Sequence, residues 1–173
     1  MPEYWDICDE NGIPTGRIHE RGKPMRHGEY HMAVTVWILH KTGEFLISKR
    51  VPTAGHHPGF WEPTGGSALQ GEDCLTAALR EVREELGLIL NPADSILFKR
   101  YNWPHADGQG MAHICTWVFR QDVSLSDIVL QPEETCDVRL ASEDDIRDLI
   151  REGCFVPYTY LDELFVFCKN LSV

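Results

Sequence analysis

The sequence predicts an α+β fold in which helices are layered on a mixed β-sheet. The predicted elements follow one another as strands, a helix, further strands and then helices, an order typical of layered α+β proteins. With 173 residues, of which 43% are hydrophobic, the chain is long enough to bury a sizeable core. Because no repeat, low-complexity tract or linker interrupts the chain, we expect one domain over residues 1–173.

The first fifty residues predict four strands. A tight turn at Asn11-Gly12 separates two short strands, and with the loop that follows they make an N-terminal extension over residues 1–30. The apolar run HMAVTVWILH then indicates a buried strand, and a turn at residues 41–44 leads into its neighbour. We expect these strands at residues 3–7, 15–18, 31–40 and 45–50.

A long amphipathic helix is expected next, from about Glu72 to Leu86. A glycine- and proline-rich loop over residues 53–63 and the short segment 64–66 lead into it. Gly87 supplies the C-terminal stop, because glycine readily adopts the left-handed conformation that ends a helix. The apolar residues that recur at helical spacing are Leu75, Ala78, Leu79, Val82 and Leu86.

The C-terminal half predicts further strands and two helices. Ser142, with Asp145 three residues later, is typical of a helix N-terminus, and this helix should run to about Arg151. Pro157 is expected to open the last helix, over about residues 158–169. The strands are expected at residues 88–90, 95–103, 112–120 and 137–140.

Three carboxylates crowd the C-terminal half of the long helix: Glu81, Glu84 and Glu85. The helix dipole already makes this end negative, and Glu81 and Glu85 stand one turn apart, where like charges cost roughly 0.2–0.5 kcal/mol. A solvated face is one interpretation. The three glutamates, however, form a strip that borders the apolar stripe, as expected for side chains that line a cleft. An all-oxygen site of this kind suits a hard cation such as Mg²⁺, with Mn²⁺ as an alternative.

The segment 66–88 also resembles the signature of the Nudix hydrolases: Gly, five residues, Glu, seven residues, then Arg-Glu-apolar-any-Glu-Glu-any-Gly-apolar. The positions that carry this resemblance are Gly66, Glu72, Arg80, Glu81, Val82, Glu84, Glu85, Gly87 and Leu88. The resemblance implies a Nudix-type α/β/α sandwich around a mixed sheet and a metal-dependent hydrolase. It also implies that Glu81, Glu84 and Glu85 bind the metal together with the Gly65 carbonyl. Glu81 would double as general base, and Arg80 would orient a neighbouring carboxylate.

Residues 66–88 are called the glutamate box below. Outside this box the assignments of functional residues rest on weaker patterns. Glu134 matches a position where many family members carry an additional catalytic or metal-binding glutamate, although a solvated loop acid is equally compatible with the sequence. Lys49 and Arg50 end a strand that should point towards the site, where they would contact substrate phosphates; an exposed basic strand end is the alternative. Glu72 is explained by its place at the helix start, where the dipole favours a carboxylate.

The N-terminal extension and the Pro58-Gly59-Phe60-Trp61 segment resemble the isopentenyl-diphosphate isomerase branch of the same superfamily. His31 matches a metal-ligand histidine of those isomerases. The position of their catalytic cysteine, five residues after Trp61, is Gly66 here. We therefore expect a hydrolase, with isopentenyl-diphosphate delta-isomerase as the alternative. A non-catalytic diphosphate-binding module is the second alternative.

The expected substrate is a nucleoside diphosphate, or a nucleoside diphosphate linked to another group, cleaved at a phosphoanhydride bond. A formal net charge of −11 argues against nucleic acid or an anionic membrane as partner. The six cysteines show no CxxC or zinc-ligand spacing and are expected to be free thiols. With no signal-peptide pattern and no long apolar run, the sequence predicts a cytoplasmic protein, either a monomer or a homodimer.

Overall fold

A computed structural model describes residues 2–105 and 108–171 as nine strands and three α-helices, with short 3₁₀ turns at Pro92–Asp94 and Leu125–Asp127. The strands are β1 Tyr4–Cys8, β2 Pro14–Glu20, β3 Tyr30–Leu39, β4 Phe45–Arg50, β5 Trp61–Glu62, β6 Thr64–Ser67, β7 Ser95–Pro104, β8 Met111–Arg120 and β9 Thr135–Ala141. The helices are α1 Cys74–Leu86, α2 Glu143–Arg151 and α3 Leu161–Leu171.

The sheet is organised around β3, which pairs with four other strands. It runs antiparallel to β1, β4 and β6, and parallel to β8 over its whole length, from Tyr30 opposite Met111 to Leu39 opposite Arg120. The antiparallel partners β2, β5, β7 and β9 extend the sheet beyond these strands. The predicted mixed sheet is therefore confirmed.

Side chains of β3 alternate between two hydrophobic cores, one on each face of the sheet. Val34, Val36 and Ile38 belong to the core that contains α1. Trp37 and Leu39 belong to the core that contains α2 and α3. This alternation is the two-residue period of a strand that is buried on both faces. The predicted α+β fold, with helices on both sides of a mixed sheet, is confirmed.

Helix α1 begins two residues later than the sequence pattern suggests. Asp73 is its N-cap and accepts a hydrogen bond from the Thr76 backbone N–H at 2.7 Å. Glu72 therefore lies outside the helix, so the helix-dipole explanation of its position is wrong. Gly87 ends the helix in the left-handed conformation with φ 69°, as predicted.

Four other elements differ from the sequence-based expectation. Residues 88–90 form no strand; Leu88 and Leu90 alternate with exposed Ile89 because both pack into the core beside α1. Helix α3 begins at Leu161 instead of residue 158, because Tyr160 turns into the core and reaches the Trp37 indole. Strands β5 and β6 lie where only a loop and a lead-in were expected, because their partners β4 and β3 are distant in sequence.

Two of the six cysteines form a disulfide, between Cys74 at the start of α1 and Cys115 in β8. The expectation of free thiols is wrong for this pair, because α1 packs its first turn directly on β8 and buries both sulfurs. Cys8 is a buried free thiol, whereas Cys136 and Cys154 are exposed. No helix in the described part of the chain combines the length and apolar character needed to cross a bilayer.

Candidate active site

Two consecutive glycines bring β6 against both β3 and the acidic end of α1. A Cβ atom on Gly65 would lie 2.4 Å from the Val34 carbonyl oxygen, and a Cβ on Gly66 would lie 2.2 Å from Oε1 of Glu81. Neither glycine is among those with positive φ, so they are needed for space and not for an unusual backbone conformation. The Glu81 carboxylate thus lies directly against the Gly66 backbone.

Arg80 links the glutamates of the box. Its Nε and Nη2 donate to the two carboxylate oxygens of Glu72 at 2.8 and 2.9 Å. Its Nη1 donates to Glu81 at 3.0 Å and to Glu84 at 2.9 Å. Burial would raise the pKa of Glu72, but the hydrogen bonds from Arg80 and from the Leu69 backbone hold that pKa below its ordinary value. Glu72 therefore acts here as an anchor for Arg80.

Glu85 is the most buried carboxylate of the group, with a relative exposure of 6%. Its burial raises the pKa of Glu85 to about 9, and the negative charges of Glu81, Glu134 and Glu62 act in the same direction, while Arg50 opposes them. Burial also raises the pKa of Glu81, although Arg80 partly offsets it. The electrostatic coupling shows that these carboxylates converge on one region.

Arg50 provides a second positive charge beside the acidic cluster. Its Nη1 donates to Glu62 at 2.6 Å and its Nε donates to the His56 carbonyl at 2.7 Å. The carbonyl of Glu134 accepts a hydrogen bond from the Val51 backbone N–H at 2.9 Å, which holds the exposed Glu134 beside the end of β4. Arg50 and Glu134 are therefore both brought to the cluster.

Glu62 is a further residue of this region, and no sequence motif predicts it. This residue lies in β5, in a segment expected to be a loop, and its side chain is only 17% exposed beside Arg50. An acidic residue directly after Trp61 and three residues before the glycine pair is the sequence signal that could have identified it.

Lys49 is placed differently from Arg50. Adjacent residues of a strand point to opposite faces, and the Lys49 Nζ lies 5.7 Å from the centre of the Trp61 ring. The guanidinium of Arg139 also lies over that ring, at 5.0 Å. The structure thus groups Arg50 with the glutamates and places Lys49 with Trp61 on the opposite face of β4.

The donor groups of this region suit a hard divalent cation. Within residues 2–105 and 108–171, no three His, Cys, Asp or Glu side chains are arranged as a ready cage, because Arg80 is the cation between Glu72, Glu81 and Glu84. Carboxylate oxygens are nevertheless the available ligands, and a bound cation would stabilise the charged forms of Glu81 and Glu85, whose pKa values are raised first by burial and then by neighbouring carboxylates. The residues present therefore fit such an ion.

The raised pKa of Glu85 predicts how the stability of the protein without added cation depends on pH. As the pH rises from 4.5 towards about 9, the unfolded chain has lost a proton that folded Glu85 still binds, so the free energy of unfolding falls. Glu85→Gln has no carboxyl group to titrate and so removes this loss of stability. Its melting temperature at pH 8 should therefore exceed that of the unmodified protein, by roughly 2–4 °C for each kcal/mol of stability recovered. Thermal unfolding in chelator, measured from pH 5 to 9, checks this.

A matched control is Glu84→Gln, because the Glu84 side chain is 53% exposed on the same helix. This variant should keep the pH dependence of the unmodified protein. A strong loss of stability in Glu85→Gln would contradict the prediction and would mean that the Glu85 charge holds the fold together.

Comparisons with known proteins find matches over most of the chain. A family model described as the NUDIX domain matches residues 29–161. An uncharacterized Nudix hydrolase of Listeria monocytogenes is 36% identical over 164 residues, which cover 94% of this chain and 94% of that protein. A crystal structure from Deinococcus radiodurans has a TM-score of 0.72 at 19% identity and covers 96% of this chain and 99% of that chain.

Two further relatives carry functional names. A bifunctional NMN adenylyltransferase/ADP ribose pyrophosphatase of Francisella tularensis, crystallised with AMP and a Mn ion, has a TM-score of 0.63 at 20% identity. The match covers 86% of this chain and 43% of that chain. An isopentenyl-diphosphate delta-isomerase of Streptomyces griseus is 33% identical over 103 residues, which cover 57% of this chain and 51% of that protein.

Proposed function

Because this chain belongs to the Nudix hydrolase family, we propose that it hydrolyses a phosphoanhydride bond of a nucleoside diphosphate, or of a nucleoside diphosphate linked to another group, with Mg²⁺ or Mn²⁺ as cofactor. The observation that carries the proposal is the gathering of Glu72, Glu81 and Glu84 around Arg80, with the Glu81 carboxylate against Gly66. Residues 1–173 would act together as one domain.

Each residue of the box has a distinct part in the proposed reaction. Glu81, Glu84 and Glu85, with the Gly65 carbonyl, would hold the cation, which when bound neutralises phosphate charge and acidifies water. Glu81 would accept the proton of the attacking water, a role that a half-buried carboxylate with a raised pKa suits. Arg80 would orient Glu81 and Glu84 through the two hydrogen bonds of its Nη1.

The second group of residues lies at the side of β4. Arg50 is committed to Glu62 and to the His56 carbonyl, so its part in phosphate binding would be electrostatic or would use its remaining N–H groups. Lys49 lies beside Trp61 on the opposite face of β4, so its part in phosphate binding would be to add positive charge near the end of the strand. Glu134 would supply a further carboxylate at the open edge of the cluster.

The Francisella protein supports the substrate class and the cofactor. It is named an ADP ribose pyrophosphatase, and its structure contains AMP and a Mn ion. An all-carboxylate site with few fixed cationic groups would bind a hard divalent cation. That cation would assist cleavage of a phosphoanhydride bond next to a nucleoside.

The isomerase similarity makes isopentenyl-diphosphate isomerisation the competing function. The isomerases' cysteine position is Gly66 here, and a Cβ atom at that position would overlap the Glu81 carboxylate. A side chain cannot be added at Gly66 without moving Glu81. The described geometry therefore favours hydrolysis.

A substrate panel tests the proposal. We expect the purified protein with Mg²⁺ or Mn²⁺ to release phosphate or a nucleoside monophosphate from at least one member of a set of nucleoside diphosphates, nucleotide sugars and dinucleotides. Chelation with EDTA should abolish the release. Isomerisation of isopentenyl diphosphate without turnover of any nucleotide would establish the competing function instead. Binding without either reaction would indicate a diphosphate-binding module.

A further inference from the structure

The N-terminal hairpin β1–β2 contacts the loop that begins the glutamate box. The hairpin, residues 4–20, precedes residues 29–161, the part that the family model matches. The loop, residues 67–71, connects β6 to Glu72 and α1. Contacts between the two are therefore a property of this chain and not of the matched segment alone.

Two backbone N–H groups of the loop donate to β1. Gln70 donates to the Tyr4 carbonyl at 2.8 Å. Gly71 donates to the Asp6 carboxylate at 2.7 Å. A hydrogen bond to a charged acceptor is roughly twice as strong as one between neutral groups, so Asp6 is the stronger of the two contacts.

A third contact reaches the same loop through an imidazole. The Trp5 and His31 rings are stacked, with centroids 4.0 Å apart and an interplanar angle of 15°. The Nε2 atom of His31 lies 3.2 Å from the Ser67 hydroxyl, at the other end of the loop. One end of the loop is thus held by β1 directly, and the other end is held by His31 of β3, whose ring stacks on Trp5 of β1.

The loop in turn holds Arg80. The Ser67 carbonyl accepts a hydrogen bond from Nη2 of Arg80 at 3.0 Å. The Leu69 N–H donates to Glu72 at 2.8 Å, and Glu72 binds the other side of the Arg80 guanidinium. A displacement of this loop would therefore be transmitted through Arg80 to Glu81 and Glu84.

We propose that the N-terminal hairpin is a positioning element of the active site, and that Asp6 is its principal positioning residue. Asp6 fixes the loop 67–71, the loop fixes Arg80, and Arg80 fixes the carboxylates that hold the cation. The hairpin touches neither these carboxylates nor the substrate in this scheme. The kinetic consequence rests on the proposed hydrolase function, whereas the structural consequence does not.

The test compares three variants of the full chain. Asp6→Ala removes the acceptor for the Gly71 N–H, and Asp6→Asn keeps an oxygen at the same place. The control is Glu3→Ala, because Glu3 lies directly before β1 and its side chain forms an ion pair with Arg21, at 2.5 Å, away from the loop 67–71. Hydrogen exchange of the Gln70 and Gly71 amides, the affinity for Mn²⁺ from its paramagnetic resonance signal, and melting temperature are measured for each.

Asp6→Ala should accelerate exchange of these two amides about tenfold or more through local opening, with little change in melting temperature. The same substitution should also weaken Mn²⁺ binding. On a substrate from the panel it should lower kcat about tenfold or more, because the reacting groups are misplaced, and KM should change little. Asp6→Asn keeps a neutral oxygen acceptor and should restore amide exchange, Mn²⁺ affinity and kcat in part. Glu3→Ala should retain all three in full.

Equal exchange rates in Asp6→Ala and Glu3→Ala would overturn the proposal, since the loop would not be held by Asp6. Faster exchange with unchanged Mn²⁺ affinity would overturn it as well, because the loop would then have no hold on the glutamates. If no nucleotide is hydrolysed, the proposed function fails, but exchange and Mn²⁺ binding still decide whether the hairpin positions the site.

Discussion

Replacement of Glu81 by glutamine is expected to lower the rate of phosphoanhydride hydrolysis by about 10²–10⁴-fold, the range associated with loss of a positioned general base. The amide has the shape of the carboxylate but cannot accept the proton of water, and it is a poorer ligand for a hard cation. Because Glu81 lies against Gly66 without a side chain between them, glutamine fits the same space and the fold should be retained. Steady-state kinetics measure the loss of rate, and circular dichroism checks that the fold is retained.

The control for this substitution is Glu152→Gln, at the exposed C-cap of α2. Its turnover should equal that of the unmodified protein. Near-native turnover of Glu81→Gln would remove Glu81 from the catalytic group and would transfer the role of base to Glu84, Glu85 or Glu134.

Replacement of Gly66 by cysteine is the second large effect that we expect. The new Cβ would lie 2.2 Å from Oε1 of Glu81, a distance that real Cβ contacts do not show, so the carboxylate must move. A displacement of about 1 Å can cost about a hundredfold in rate, so hydrolysis should fall by about that factor. Isomerisation of isopentenyl diphosphate should not appear, because the cysteine side chain would displace the Glu81 carboxylate.

The matched control is Gly55→Cys. A Cβ atom on Gly55 meets nothing within 4 Å, and Gly55 is not among the glycines with positive φ. Its activity should be unchanged. Undiminished hydrolysis by Gly66→Cys would show that Glu81 can move without loss, and a gain of isomerase activity would support the competing function.

The parts of the fold that local patterns determine could be predicted from the sequence. The alternation of β3, the helical spacing of Val82 and Leu86 and the stop at Gly87 each depend on a few neighbouring residues, and the structure confirms them. The start of α1 was placed two residues early because Glu72 and Asp73 are both acceptable at a helix start, and only the hydrogen bond to Thr76 identifies the cap.

The parts that depend on distant partners could not be predicted. Strand β6 exists because Gly65 has no side chain and can approach Val34, a residue 31 positions earlier in the chain. Glu62 joins the site through β5 and Arg50, and the Cys74–Cys115 pair forms because α1 lies on β8. None of these pairings leaves a periodic signal in the sequence.

For the candidate site, the sequence identified the glutamates but not how their charge is balanced. The spacing of Glu81, Glu84 and Glu85 predicts a common strip, yet the strip is held by Arg80 acting together with Glu72 and the Ser67 carbonyl. The sequence predicts that Arg50 contacts a substrate phosphate, whereas in the structure its guanidinium is paired with Glu62. Side-chain partners of long arginines depend on the tertiary arrangement, so the sequence alone could not assign them.

The most direct test of the central claim is hydrolysis in ¹⁸O-labelled water with Mg²⁺ or Mn²⁺ and the substrate panel. If the chain is a phosphoanhydride hydrolase, mass spectrometry should find one ¹⁸O atom in one of the two phosphate-containing products, and Glu81→Gln should form that product far more slowly. Absence of labelled product from every nucleotide, together with proton exchange into isopentenyl diphosphate in D₂O, would contradict the account and identify an isomerase.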